Sequence, residues 1–151
     1  MNEQPHAALA VLLRDGFQQI VGRVHRRLAE LGFDDVRPAH LVIFQHISPE
    51  GSRIGELAER AQLTNQSVGY LVDYLEEHGY VVRQQDPRNR RATLVKLTEH
   101  GWREMEACSQ ALGEIEADLV EHMGRAEFDQ LMALLGKFWL ALQSTVPGSN
   151  G

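Results

Sequence analysis

The chain has 151 residues, a length that suits one compact domain able to bury a hydrophobic core. It is 43% hydrophobic and 24% charged, which is ordinary for a globular protein, and no apolar run approaches the roughly 18 residues of a membrane-spanning helix. The net charge of −6 argues against a broadly basic nucleic-acid-binding surface, but residues 81–98 hold five basic residues and one acidic residue, which indicates either a focused phosphate contact or a solvated basic loop.

The first third of the sequence predicts a long amphipathic helix followed by a short apolar one. Apolar residues recur at spacings of four and three, as they do on one face of a helix. Gly32 ends the first helix, and Pro38 suits the first turn of the second helix, which ends before a turn at residues 48–51. The apolar stripe of the first helix consists of Leu9, Leu13, Phe17, Ile20, Val24, Leu28 and Leu31.

Two further helices with a short connection predict a helix-turn-helix unit. Ser52 is a candidate N-cap for a helix that runs to Arg60, because its hydroxyl can accept a hydrogen bond from a free backbone N–H group. Thr64 is expected to cap the next helix in the same way, and Gly79 suits the end of that helix. The inward-facing residues of this second helix are predicted to be Val68, Leu71, Val72 and Leu75.

The pattern then changes to two short strands. Residues 80–83 and 93–97 are rich in β-formers, and the second segment alternates apolar and polar residues. Residues 84–92 between them are polar and rich in arginine. The segment therefore predicts a β-hairpin with a long basic tip, which is a wing attached to the helix-turn-helix.

The C-terminal third predicts two more helices. Thr98 is expected to cap the first of them, and Gly124 separates it from the second. The predicted inward face of the first helix holds Met105, Cys108, Leu112, Ile115, Leu119 and Met123, and the apolar residues of the last helix are Phe128, Leu131, Leu135, Phe138, Trp139 and Leu142. The fold class is accordingly mainly α with a small β-hairpin.

The order of these elements and the sequence of the wing together resemble the MarR (multiple antibiotic resistance regulator) family. The resemblance extends over residues 54–58, 71–81, 86–91 and 94–101. In the wing, the family pattern is Asp-Pro, any residue, Asp and then basic residues, followed by a strand that ends Leu-Thr-x-x-Gly. The chain has Asp86-Pro87-Arg88-Asn89-Arg90-Arg91 and Leu97-Thr98-Glu99-His100-Gly101. Asn89 stands where the family has Asp, the residue expected to hold the wing arginine, so the sequence does not decide how firmly Arg91 is oriented.

The resemblance implies that the protein is a repressor and that it binds palindromic double-stranded DNA as a homodimer. The wide apolar stripes of the terminal helices are consistent with a two-fold interface. We therefore expect an N-terminal dimerisation helix (1–37), a winged helix-turn-helix DNA-binding domain (38–97), C-terminal dimerisation helices (98–145) and a frayed tail (146–151).

The roles in DNA binding follow from side-chain chemistry and from the resemblance. Residues 64–77 contain no Lys or Arg, so base reading there must use neutral groups, and Asn65 and Gln66 can each form bidentate contacts with adenine. Arg91 aligns with the wing arginine that is expected to enter the minor groove. The complete set of predicted DNA-contacting residues is Ser52, Arg53, Thr64, Asn65, Gln66, Ser67, Gly69, Tyr70, Arg88, Arg90 and Arg91.

The resemblance also implies a cleft for a small, often anionic aromatic effector, for which the candidate contacts are Arg14, Arg23, His25 and His46. We expect no enzyme, no cofactor and no metal, since the sequence has no Cys-x-x-Cys, His-Glu-x-x-His or Gly-rich phosphate loop. The single cysteine, Cys108, is interpreted as a buried inert thiol, and a cytoplasmic location is expected. The alternatives are a protein-interaction module without DNA binding and a winged-helix metal sensor.

Overall fold

The computed structural model describes residues 5–145, which contain six helices and one two-stranded antiparallel sheet. The predicted fold class is therefore confirmed. The predicted tail, 146–151, lies outside the described residues. The elements are α1 (Pro5–Glu30), α2 (Pro38–His46), α3 (Ile54–Ala61), α4 (Asn65–Glu77), β1 (Val81–Asp86), β2 (Asn89–Leu97), α5 (Glu99–Met123) and α6 (Arg125–Thr145).

The chain divides into two compact units, one that ends at Leu112 and one that begins at Gly113. The first unit holds α1 to β2 and the N-terminal half of α5, and the second holds the rest of α5 and α6. No helix within residues 5–145 is long and apolar enough to cross a membrane.

The core of the first unit is built around Tyr80, whose side chain is fully buried. Its ring stacks on His100 with a centroid distance of 4.3 Å and meets Phe44 edge-on at 6.0 Å. Its hydroxyl donates to Asp35 Oδ1 at 2.5 Å, which satisfies the one polar atom of the ring. Burial and this neighbouring carboxylate both raise the pKa of Tyr80, so the phenol stays protonated. The other fully buried apolar side chains include Leu28, Val36, Ile43, Leu57, Val68, Val72, Leu75 and Val95.

The apolar stripe of α1 is only half covered. Val24 and Leu28 are buried, as the sequence predicted, but Leu9 and Phe17 are 54% and 65% exposed. Leu12, which lies outside the predicted stripe, is 71% exposed. A single copy of the chain therefore leaves the N-terminal half of α1 uncovered.

The start of α3 differs from the prediction. Arg53, and not Ser52, is the N-cap, and its backbone N–H donates to Glu56 Oε2 at 2.9 Å. Ser52 is fully buried and forms an isolated β-bridge with Val95, which adds a third segment to the edge of β2. Its hydroxyl accepts a hydrogen bond from the backbone N–H of Ser48 at 3.0 Å. The prediction of Ser52 as a helix cap was wrong because the residue pairs with a strand instead.

The hairpin is longer than predicted and its turn is shorter. The strands pair from Val81↔Leu97 to Gln85↔Thr93 in regular register, and the next pair is Asp86↔Asn89. Residues 90–92 of β2 therefore bulge opposite the step from Gln85 to Asp86. Only residues 87 and 88 form the turn, so the predicted long loop at 84–92 was wrong.

The predicted cap of α5 is present, because Thr98 Oγ1 accepts from the backbone N–H of Gly101 at 3.1 Å. In the N-terminal half of α5 the predicted inward face is displaced by about one residue, because Glu104, Ala107 and Ala111 are buried and Met105 and Cys108 are half-buried. Ile115, further along the helix, is buried as predicted. Small residues and one glutamate thus face the core where the sequence predicted larger apolar residues.

The Leu-Thr-x-x-Gly segment has a steric explanation. The backbone N–H of Thr98 donates to the carbonyl of Tyr80 at 3.0 Å, which draws the start of α5 against the start of β1. A Cβ atom at Gly101 would lie 2.2 Å from the same carbonyl oxygen. Only glycine fits at this point of contact between helix and hairpin.

Candidate nucleic-acid interface

The exposed face of α4 carries polar side chains without a basic residue. Thr64 caps the helix by accepting from the backbone N–H of Ser67 at 3.1 Å, as predicted. Its side chain is exposed, as are those of Asn65, Gln66, Ser67 and Tyr70, while Gly69 is half-buried. The structure therefore brings these six predicted residues together at the N-terminal half of one helix, where α4 also presents its positive dipole end.

Two of these side chains form a pair on the helix surface. Gln66 Nε2 donates to the Tyr70 hydroxyl at 3.3 Å, one turn further along. Tyr70 is 66% exposed, so this bond holds a ring that projects from the helix. The Gln66 amide keeps its carbonyl oxygen and its second N–H for a base edge.

The wing is fastened to α3 through a buried aspartate. The Asp86 side chain is only 5% exposed, and its Oδ2 accepts from Arg53 Nη2 at 2.6 Å and from Nε at 3.2 Å. Its Oδ1 accepts from the backbone N–H of Arg88 at 2.9 Å. The hydrogen bonds that Arg53 and, to a lesser extent, the backbone of Arg88 donate to Asp86 lower the pKa of this carboxylate. The hydrogen bond to Asp86 in turn raises the pKa of Arg53. Arg53 was predicted as a DNA contact, but its guanidinium is used to hold the wing.

The backbone at the tip of the wing is held by side chains on both strands. Asn89 Oδ1 accepts from the backbone N–H of Arg91 at 3.1 Å, a local turn that asparagine and aspartate form equally. Gln85 Nε2 donates to the carbonyl of Arg90 at 2.7 Å across the hairpin. The side chains of Arg88, Arg90 and Arg91 are all exposed. The structure thus presents three arginines on a bulged, internally bonded tip.

A second predicted contact needs correction, and one basic residue of the island is already paired. The buried hydroxyl of Ser52 also lies 3.3 Å from Arg60 Nη1, so Ser52 has no exposed group to offer to DNA. Arg83 had been counted in the basic island, but its guanidinium pairs with Asp73 and Glu76 of α4. The exposed basic groups of the island are therefore concentrated at the tip of the wing.

The four candidate effector residues are not gathered into the cleft that the structure shows. A partly open cleft of about 180 Å³ lies between α2 and α5, and it is lined by Leu41, Phe44, Gln45, Met105, Cys108, Ser109 and Leu112. Arg14 is exposed and pairs with Asp15, while Arg23 is also exposed. His25 and His46 are half-buried, and neither lines this cleft.

The remaining candidate groups are the possible metal ligands, the cysteine and one buried glutamate. Within residues 5–145, no group of three His, Cys, Asp or Glu side chains is placed to hold a metal ion. Cys108 is half-buried, and burial raises the pKa of its thiol, which disfavours the reactive thiolate. Sequence reasoning missed Glu104, which is fully buried with both carboxylate oxygens unpartnered. The signal available in the sequence was helical spacing, because Glu104 lies three residues from both Gly101 and Ala107, which are buried on the same face of α5.

Comparison with known proteins finds a family match over part of the chain. Residues 34–92 match a family model described as MarR family. The chain is 27% identical over 121 residues to the uncharacterized HTH-type transcriptional regulator YkoM of Bacillus subtilis (strain 168). The aligned region covers 80% of this chain and 77% of YkoM. Two further relatives are matched over 48% and 54% of their own length.

Solved structures show the same fold. MarR from E. coli superposes with a TM-score of 0.69 at 24% identity, covering 86% of this chain and 96% of that chain. CouR from Rhodococcus jostii RHA1, crystallised with p-coumaroyl-CoA, gives a TM-score of 0.64 at 26% identity, covering 85% and 88%.

Proposed function

We propose that this chain is a DNA-binding transcription regulator of the MarR family, and that it is a repressor that binds a palindromic operator as a homodimer. The resemblance that the sequence suggested is confirmed, and the matched family is one of regulators and not of enzymes. The observation that carries the proposal is the wing: three exposed arginines lie on a tip whose backbone is fixed by Asp86, Asn89 and Gln85.

The two parts of the interface, α4 and the wing, contact different grooves of the DNA. The polar N-terminal face of α4 enters the major groove, where Asn65 and Gln66 contact base edges and Thr64, Ser67 and Tyr70 contact phosphates or sugars. Arg91 enters the minor groove, and Arg88 and Arg90 contact flanking phosphates. Base reading by neutral groups predicts a preference for A·T pairs in the major groove, since Asn and Gln match adenine.

The apolar surfaces of the terminal helices support a homodimer. In α1, Leu12 and Phe17 are 71% and 65% exposed, and in α6, Trp139 and Leu140 are 61% and 68% exposed. Such large apolar side chains in clusters on a helix mark an interface more often than a free surface. A two-fold dimer would place its two α4 helices on half-sites about 34–36 Å apart.

DNA binding is tested with a duplex selected from random sequence by the wild-type protein. Arg91→Ala should weaken binding to that duplex by about 1–3 kcal/mol at fixed salt, the range for one specific contact. Arg103→Ala, a matched loss of an exposed arginine on α5, should leave affinity unchanged. If Arg91→Ala binds as tightly as wild type, the wing assignment is wrong. If wild type selects no duplex, DNA binding is contradicted, and the alternatives are a protein-interaction module and a winged-helix metal sensor.

The dimer is tested by light scattering after size-exclusion chromatography. Leu12→Glu places a charge on the exposed face of α1 and should convert the dimer to a monomer. Gln18→Glu adds the same charge at an exposed polar position on another face of α1 and should remain dimeric. A wild-type protein with the mass of one chain would contradict the proposal.

We further propose that the protein acts in the cytoplasm and that a small anionic aromatic molecule controls its DNA binding. The cleft between α2 and α5 offers an aromatic wall at Phe44 and polar groups at Gln45 and Ser109. The side chains of the predicted effector contacts would contribute only if they come from a second subunit or move toward the cleft; these are Arg14, Arg23, His25 and His46. The relative CouR was crystallised with p-coumaroyl-CoA, a thioester of a phenolic acid. A thermal-shift screen of phenolic acids and their thioesters without any hit would contradict this control.

A further inference from the structure

The recognition helix carries a negative charge that its own sequence does not offset. Within α4 the charged residues are Asp73, Glu76 and Glu77, and none is basic. Asp73 follows Gln66 and Tyr70 at helical spacings of seven and three, so it lies on the same face. Its side chain is 63% exposed. A free carboxylate at this position would repel the phosphates that flank the groove.

Arg83 of β1 binds the two carboxylates nearest this face. Its Nη2 lies 2.6 Å from Asp73 Oδ1, and its Nη1 pairs with Glu76 Oε2. Its backbone N–H donates to Glu76 Oε1 at 3.1 Å, so main chain and side chain hold the same helix. The Arg83 side chain is only 28% exposed; this burial opposes its charge, but the hydrogen bonds that it donates to Asp73 and Glu76 outweigh burial and raise its pKa.

We propose that Arg83 supplies to the recognition helix the positive charge that α4 lacks, and that it acts on DNA binding through Asp73 and Glu76 without touching DNA. Arg83 is thus a positioning and charge-neutralising residue. The proposal rests on the proposed function, because it concerns DNA affinity. It differs from the roles of Arg88, Arg90 and Arg91, whose side chains project from the tip of the wing.

The test compares affinities for the duplex selected by the wild-type protein, at fixed salt. Arg83→Gln should weaken binding at least about tenfold, since residues in one ion-pair network couple strongly. Adding Asp73→Asn and Glu76→Gln to that variant should restore most of the affinity, because the repelling charges are gone. Arg103→Gln, which breaks a surface pair with Glu99 on α5, is the control and should have no effect.

The alternatives give different results. If Arg83 contacts phosphate directly, the triple variant stays as weak as Arg83→Gln, and the proposal is overturned. Should Arg83→Gln fail to fold, the pair Asp73→Asn and Glu76→Gln in the presence of Arg83 decides: equal or tighter binding supports the proposal, and weaker binding overturns it. Failure of the wild-type protein to bind any duplex would overturn the proposed function and this inference together, whereas normal binding by a folded Arg83→Gln variant would overturn this inference alone.

Discussion

Glu104 makes the stability of the first unit depend on pH. Its side chain is fully buried on α5, and both carboxylate oxygens lack a hydrogen-bond partner. Burial raises the pKa of Glu104 from 4.5 to about 7, because the ionised form loses its hydration without gaining a partner. The neighbouring ionisable groups are Tyr80 and Cys108, whose own pKa values Glu104 helps to raise.

The size of the effect follows from that shift. The folded chain holds the Glu104 proton up to about pH 7, while the unfolded chain releases it near pH 4.5. The contribution of Glu104 to stability is therefore full below pH 4.5, falls as the pH rises from 4.5 to 7, and stays low above pH 7. The shift of roughly 2.5 units corresponds to a loss of about 3 kcal/mol in the free energy of unfolding.

Glu104→Gln should remove this dependence, because an amide has nearly the same shape and does not ionise. At pH 8 the variant should be more stable than wild type by roughly 2–3 kcal/mol, and near pH 4.5 the two should be about equal. The assay is urea unfolding at half-unit pH steps, with Glu106→Gln, an exposed change on the same helix, as the control. Parallel pH profiles for wild type and Glu104→Gln would show that Glu104 is solvated or paired in solution, which would refute the reasoning.

Two other substitutions test the attachment of the wing. Gly101→Ala would place a Cβ atom against the carbonyl oxygen of Tyr80, so thermal unfolding should show a loss of about 1–3 kcal/mol, while Gly113→Ala, where a Cβ meets no atom within 4 Å, should be neutral or stabilising. Asp86→Asn should lower both the melting temperature and the DNA affinity, because Arg53 loses its ionised partner. In wild type this contribution is present above pH 4 and is lost as the pH falls, since the pKa of Asp86 lies below its ordinary value of 3.8. An Asp86→Asn variant with wild-type DNA affinity would show that Arg53 does not orient the wing.

The helices of the DNA-binding region could be predicted because their signals are local. Thr64 caps α4 through a residue three positions away, and Val68, Val72 and Leu75 follow the helical period that buries one face. Gly79, with φ of +79°, ends the helix in the left-handed region that glycine favours. Short-range hydrogen bonds and one-sided burial are properties that a sequence displays directly.

The parts that were missed depend on contacts between distant residues. Arg53 and Asp86 are 33 positions apart, and nothing near either one indicates the pair. Ser52 looked like a cap because its sequence neighbours are helical, but its pairing with Val95 takes precedence. Pro87 and the arginines suggested a loop, although a bulge allows the two strands to continue to the turn. The burial of Glu104 was not predicted, because buried unpaired carboxylates are rare.

The wing and the start of α5 behave as one mechanical part for a steric reason. The carbonyl of Tyr80, at the entrance to β1, accepts from the backbone N–H and the hydroxyl of Thr98 at 3.0 and 3.1 Å, and Gly101 lies directly against it. A rotation of α5 about its axis or a slide along it would strain these bonds or bring Gly101 closer to the carbonyl. A displacement of the N-terminal turns of α5 must therefore carry the base of the hairpin with it. Since the cleft beside Phe44 is lined on one side by α5, any molecule that moves this helix would also move the arginines of the wing.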